Sequence, residues 1–204
     1  MNRVEITKNP TKKDLEQAVA VLKEGGMIVY PTDTVYGLAV DAFNVEAIGK
    51  LFVIKKRAQK PLPIIVSSIE EAKKVSNITA NYEKVVNEYW PGAITFVFEK
   101  KKIVPNALTL GLQTVGIRIP NSPVSVLLVK LLGRPITSTS ANISGEKVCT
   151  TIDEVMRQFR ASTTIPDYFV DGGELAELPP STVVDLSGKK PKVLREGPVK
   201  FTHQ

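Results

Sequence analysis

The chain has 204 residues, 43% of them hydrophobic and 24% charged, with 27 lysines and arginines against 21 acids for a formal net charge of +6. That length suits one compact domain burying roughly 70% of the surface its unfolded chain exposes, and two full domains would be cramped. The one cysteine, Cys149, excludes an internal disulfide and fits a reducing compartment, and the one histidine, His203, excludes a Cys/His metal cluster.

In chain order, the opening MNRVEITKNP lacks the apolar core of a signal peptide. No later stretch has the run of about 18 apolar residues that a membrane helix needs. The expected location is therefore cytoplasmic, away from membranes. A short strand is expected near Val4 to Thr7. Thr11 then caps a helix with Leu15, Ala18, Val19 and Leu22 on one face, stopped by Gly25-Gly26. Met27 to Tyr30 reads as a strand that feeds a loop at Pro31. A helix follows over Val45 to Lys56, and Pro61 and Pro63 bracket a turn into the strand Ile64 to Val66.

Ser68 and Glu71 have capping-box spacing for the next helix. Another helix is expected over Ala80 to Tyr89, ending before Pro91. Ala93 to Phe98 and Val115 to Ile119 alternate like strands. Ser122-Pro123 opens a helix with Val124, Leu127, Leu128 and Leu131 on its apolar face. A short strand at Ile136, a helix over Ile152 to Phe159, and strands at Tyr168 to Val170, Thr182 to Leu186 and Lys192 to Leu194 complete the pattern. This alternation predicts an α/β domain around a twisted sheet, without internal repeats or linkers.

No Walker-type phosphate loop and no dinucleotide-binding glycine fingerprint is present. With a single histidine at the end of the chain, a Ser-His-Asp triad is excluded. An enzyme built from this sequence works by positioning and charge. The positive balance suits an anionic partner, nucleotide or RNA, and a solvated basic surface is the plainer alternative.

Four polar segments sit where strands end, the usual ligand position of α/β sheets. Tyr30-Pro31-Thr32-Asp33-Thr34-Val35-Tyr36-Gly37-Leu38 offers hydroxyls and a carboxylate to a small zwitterion, or Thr32 and Asp33 hold their own turn. Lys55-Lys56-Arg57 with Lys60 can hold a triphosphate, or can complement a helix dipole. Thr137-Ser138-Thr139-Ser140-Ala141-Asn142-Ile143-Ser144-Gly145 presents hydroxyls and backbone N–H groups suited to phosphate oxygens, though hydroxyl-rich loops are common. The last set is dispersed: Thr114, Arg118, Ser181 and Arg195. Arg118 lies inside a strand-like run and must find an anion, either a substrate carboxylate or an internal aspartate.

Together these segments resemble the YrdC-domain family of threonylcarbamoyl-AMP synthases. The resemblance rests on the Tyr30-to-Leu38 motif, on Lys55-Lys56-Arg57 with the later Ser140-Ala141-Asn142, and on Ser181-Thr182-Val183-Val184-Asp185. It runs from about residue 10 to 198. It implies an α/β fold with a twisted open mixed sheet and flanking helices around one deep basic cavity, in a single domain over 1–204 with no C-terminal second domain.

The implied activity is that of a nucleotidyltransferase. L-threonine, bicarbonate or CO2, and ATP give threonylcarbamoyl-AMP and pyrophosphate. A partner transferase then uses the product to modify the adenosine beside the tRNA anticodon. The carry-over assigns Thr32, Arg118, Ser138 and Ser181 to threonine, and Lys55, Arg57, Lys60, Thr114, Ser140, Asn142 and Arg195 to ATP. Lys55 and Arg57 are the catalytic cations. Magnesium is expected to arrive with ATP, since no carboxylate cluster stands out to hold it alone. Two departures are visible. Pro63-Ile64-Ile65-Val66 occupies the stretch where some longer relatives carry a histidine, and Val148 stands where many read serine. The rival reading is an RNA-binding module, for tRNA or double-stranded RNA, without adenylate synthesis. At 6% aromatic residues, the chain lacks the stacking platforms of single-strand binders. A second rival is a carbamoyl-transfer module of the kind found in larger hydrogenase-maturation proteins, but no zinc-finger or acylphosphatase segment accompanies it.

Overall fold

The computed structural model describes residues 2–56, 60–160, 162 and 164–202. Eleven strands are present among these residues. They are β1 (Asn2–Glu5), β2 (Ile28–Pro31), β3 (Tyr36–Ala39), β4 (Ile64–Ile65), β5 (Ile94–Glu99), β6 (Thr114–Arg118), β7 (Ile136–Thr137), β8 (Thr139–Ser140), β9 (Tyr168–Asp171), β10 (Thr182–Asp185) and β11 (Lys192–Arg195).

The helices begin where the sequence supplies caps. At α1 (Lys12–Lys23), the Thr11 N–H and hydroxyl both donate to the Asp14 carboxylate, at 2.7 and 2.8 Å. At α2 (Val45–Ile54), Asn44 Oδ1 accepts from Ala47 N–H. At α3 (Ile69–Val75), Ser68 Oγ accepts from Glu71 N–H, and the Glu71 carboxylate accepts from Ser67 N–H. α4 (Ala80–Tyr89) and α5 (Asn106–Thr109) follow. Ser122 with Pro123 opens α6 (Pro123–Leu132), and Gly133 ends it at φ +73°. A capping box of Thr151 and Glu154 starts α7 (Ile152–Phe159).

The mixed α/β class expected from the sequence holds, but the strands divide into two mixed sheets. One has the order β1-β9-β2-β3-β8, the other β11-β10-β5-β6-β4-β7. One five-residue stretch contributes a strand to each. β7 pairs antiparallel with β4 in the second sheet, and β8 pairs antiparallel with β3 in the first. Between them lies Ser138, whose N–H donates to Pro63 O at 2.7 Å. Thr137 adds a stitch: its N–H donates to Val40 O, and its Oγ1 accepts from Val40 N–H, both at 3.0 Å.

The larger core cluster fills the space between the sheets, with Tyr36 and Leu38 of β3 and Leu51 of α2 in one cluster with Phe96, Phe98, Val115 and Ile117. The smaller one packs α1 and α6 on β2 and β9. It buries the four α1 residues that the periodicity predicts. On α6 the buried stripe is Val124, Leu128, Val129 and Leu132, with Leu127 and Leu131 only partly covered. The expected face is turned because this helix is apolar almost all round, so packing against α1 selects the stripe. Each side chain fully buried this way stabilises by roughly 1.5–3 kcal/mol.

Asp171 ties three strands of the first sheet together. Its carboxylate accepts from Arg3 Nη2 on β1, from Tyr36 Oη on β3 at 3.0 Å and from Gly173 N–H at 2.8 Å. Burial opposes its ionisation, and the bonds from Gly173, Tyr36 and Arg3 outweigh that, holding the carboxyl below its usual value. A depressed carboxyl adds stability that is complete above its unfolded pKa and is lost as pH falls through the folded one. Asp171→Asn should therefore lower stability at pH 7 by about 1–3 kcal/mol, measured by urea denaturation. The gap to wild type should close as pH falls below about 4.

Candidate active site

The Tyr30-to-Leu38 motif is a β2–β3 hairpin, and its second half, read from sequence as loop, is strand β3. The turn holds itself. Thr32 Oγ1 donates to Val35 O at 2.6 Å and accepts from Thr34 N–H at 3.1 Å. Asp33 instead reaches the second sheet. Its Oδ1 accepts from Arg118 Nη2 at 2.6 Å, and its Oδ2 accepts from Asn121 N–H at 3.0 Å. Arg118 Nε donates to Gly92 O at 3.0 Å. The internal aspartate is thus the partner that a buried Arg118 required, with side-chain exposures of 6% for the arginine and 13% for Asp33.

Behind this pair lies a cavity of about 170 Å3. Thr32, Arg118, Ser138 and Ser181, the four residues expected at an amino-acid end, all line it, as do Ser140 and Arg195. β10 and β11 supply its far wall. Arg195 Nε and Nη2 donate to Ser181 O at 3.0 and 2.7 Å, and Ser181 Oγ pairs with Thr95 Oγ1 at 2.9 Å. Although the residue keeps much of its surface in solvent, partial desolvation by the protein around it lowers the Arg195 pKa, and the neighbouring Arg118 charge lowers it further. Among the described residues Arg195 forms no ion pair. A cation so placed attracts a ligand anion.

A second recess, of about 590 Å3, adjoins the first through Ser140 and Arg195, and Lys55, Lys60 and Asn142 also line it. Two adjoining recesses thus occupy the place where one deep basic cavity was expected. Lys55 ends α2 almost wholly buried, and its Nζ donates to Ser140 O at 2.6 Å and to Asn142 Oδ1 at 3.0 Å. Asn142 Oδ1 also accepts from Ser140 Oγ at 2.5 Å, while its amide donates to Glu146 O at 2.7 Å. The lysine and the hydroxyl-rich loop therefore fix each other. Arg57 lies outside the described residues. Thr114 is at the far end of β6 from Arg118 and lines neither recess, although strand alternation puts it on the same face.

Sequence reasoning did not single out Thr95 or Pro180 as lining residues, and it named Tyr30 only as part of its motif. A signal for Thr95 existed, since it is the one hydroxyl in the otherwise apolar run Ile94 to Phe98. Gly37 sits opposite Tyr30 in the hairpin register, and a Cβ there would lie 2.8–3.1 Å from the Tyr30 ring carbons and hydroxyl. Gly37→Ala should accordingly push the ring out of place and destabilise by about 1–3 kcal/mol, read as a lower denaturant midpoint. An unchanged midpoint would mean that the ring has room to move.

A family model described as "Telomere recombination", Sua5/YciO/YrdC, matches residues 20–197. A threonylcarbamoyl-AMP synthase of Pyrococcus abyssi is 36% identical over 182 residues, covering 88% of this chain and 53% of that protein. The chain thus spans about half the length of that relative. It spans nearly all of another, a threonylcarbamoyl-AMP synthase of Klebsiella pneumoniae, which is 33% identical over 186 residues covering 89% of this chain and 96% of that one. The crystal structure of P. abyssi Sua5 complexed with L-threonine superposes with a TM-score of 0.90 at 32% identity, over 97% of this chain and 58% of that one. Motif, fold and sequence agree: the chain belongs to the Sua5/YciO/YrdC family.

Proposed function

We propose that this protein is a threonylcarbamoyl-AMP synthase, joining L-threonine, bicarbonate or CO2, and ATP into threonylcarbamoyl-AMP with release of pyrophosphate. The observation that carries the reading is the convergence of Thr32, Arg118, Ser138 and Ser181 on one cavity that opens, through Ser140 and Arg195, into a recess lined by Lys55, Lys60 and Asn142. The names of the relatives favour synthesis over the RNA-binding alternative.

In this reading the smaller cavity takes threonine. Two of the Arg118 guanidinium donors are used by Gly92 O and Asp33, and the others are available to a carboxylate. The larger recess takes ATP, its phosphates between Lys55, Arg57, Lys60 and Arg195 and the loop that carries Ser140 and Asn142, with Thr114 at the outer end. Magnesium enters on the phosphates. Among the described residues no group of three or more Asp, Glu, His or Cys is placed to hold a metal ion.

The reaction needs no side-chain nucleophile. Threonine nitrogen and CO2 form a carbamate with loss of a proton. A carbamate oxygen attacks the α-phosphorus, forming the new P–O bond as the bond to pyrophosphate breaks. Holding the two reactants in line contributes roughly 7–11 kcal/mol toward the barrier. Charge growing on phosphate oxygens meets Lys55, Arg57 and Arg195. The product then passes to a transferase acting on tRNA.

Three substitutions test the assignment. Arg57→Ala should abolish threonine-dependent pyrophosphate release while the far-UV spectrum and melting temperature stay those of wild type; unchanged turnover would remove Arg57 from the mechanism. Arg118→Ala should raise the threonine KM by about tenfold or more, as loss of a charge-assisted bond predicts, and the ATP KM far less. Arg195→Ala should show the reverse preference. Equal effects on both substrates in either variant would contradict the two-recess assignment.

A further inference from the structure

Most of the hydroxyls around the smaller cavity are already held by protein groups. Thr32 donates to Val35 O, Thr34 pairs with Thr32, and Tyr36 donates to Asp171 and Gly173 O. Ser181 pairs with Thr95, and Ser140 donates to Asn142. Tyr30 differs. It is 0% exposed, it lines the cavity, and its hydroxyl has no hydrogen-bond partner among the described residues. An orphaned buried hydroxyl is destabilising, and native structures retain one where it has a job.

The surroundings say what that job is. The Tyr30 ring lies over Gly37, where a Cβ would come within 2.8–3.1 Å of the ring and its hydroxyl, so only a glycine lets the phenol pack this closely on β3. Burial drives its pKa up, which keeps the O–H protonated and available as a donor. Arg118, Asp33 and Ser138 are the polar side chains around it: the Arg118 charge opposes the push of burial, the Asp33 charge adds to it, and Ser138 is the one hydroxyl among the three. The serine hydroxyl is near enough to oppose part of that upward push, yet the two oxygens fall short of hydrogen-bond geometry. Ser138 also lines the cavity, and its backbone is pinned by the N–H bond to Pro63 O at 2.7 Å. Rotation about χ1 is therefore the motion left to its hydroxyl.

We propose that Tyr30 is a positioning residue for the amino acid: when the substrate enters, the Tyr30 hydroxyl donates to Ser138 Oγ, and Ser138 turns its own proton to the substrate carboxylate beside Arg118. This rests on the threonine reading of the cavity. The phenol reaches no substrate atom itself. Its donor fixes the Ser138 rotamer, so the serine arrives at the carboxylate already oriented. No bond is made or broken in the step; one hydroxyl is redirected.

A double-mutant cycle tests it on the full chain, with threonine titrated calorimetrically and threonine KM measured by pyrophosphate release. Tyr30→Phe should leave the ligand-free melting temperature unchanged or higher, because it removes an unbonded hydroxyl, while weakening threonine binding about tenfold. Ser138→Ala should weaken it by a similar factor, and the double variant should be no weaker than Ser138→Ala alone. The ATP KM should hold in all three. Losses that multiply in the double variant, a Tyr30→Phe chain that binds threonine like wild type, or one that melts several degrees lower would each overturn the proposal. Absence of threonine binding by the wild-type chain would instead remove the amino-acid reading, and this proposal with it.

Discussion

The ion pair of Asp33 with Arg118 is the constraint on which the rest of the site depends. It joins the β2–β3 turn of one sheet to the end of β6 in the other, and both side chains are largely out of water. A buried pair of this kind adds little net stability, because desolvation cancels much of the Coulomb gain. It confers register. With Asp33 held at 2.6 Å, the Thr32–Val35 turn can face only one way, and Arg118 keeps its remaining N–H groups for the cavity. The guanidinium is thereby a strut that also lines the cavity.

The same economy recurs on the other side. Lys55 fastens the end of α2 to the Ser140–Asn142 loop through a backbone carbonyl and a side-chain amide oxygen. Arg195 leans on Ser181 through a carbonyl and a hydroxyl. Among the described residues Arg195 is oriented by uncharged oxygens, an arrangement that fixes geometry without neutralising the field an incoming anion feels.

Much of this was legible in the sequence, for identifiable reasons. Helix starts at Thr11, Ser68 and Ser122 are local chemistry, and they appear where spacing predicts them. The convergence of Thr32, Arg118, Ser138 and Ser181 was legible only through the family resemblance, since nothing local brings residues 149 positions apart together. β3 was not legible: Tyr36-Gly37-Leu38-Ala39 has a glycine and little β-branching, and it becomes a strand because β2 and β8 flank it. The division into two sheets was hidden for a related reason. It turns on β7 and β8, two residues each, too short for any periodicity to register. The role of Tyr30 depends on an unmade bond, which composition and spacing do not encode.

One feature of the second sheet makes the two halves of the site mechanically unequal. β11, which carries Arg195, is an edge strand with a register shift in its only ladder, and all four of its residues are exposed. The chain beyond it is re-anchored where Thr182 Oγ1 donates to Val199 O and where Phe201 stacks near Tyr89 and Phe96. Such a strand, clipped at its far end and laddered on one flank, is the cheapest part of the wall to peel back. The Arg195 wall, shared by both recesses, thus sits on a hinged panel, while the Asp33–Arg118 wall is set in masonry.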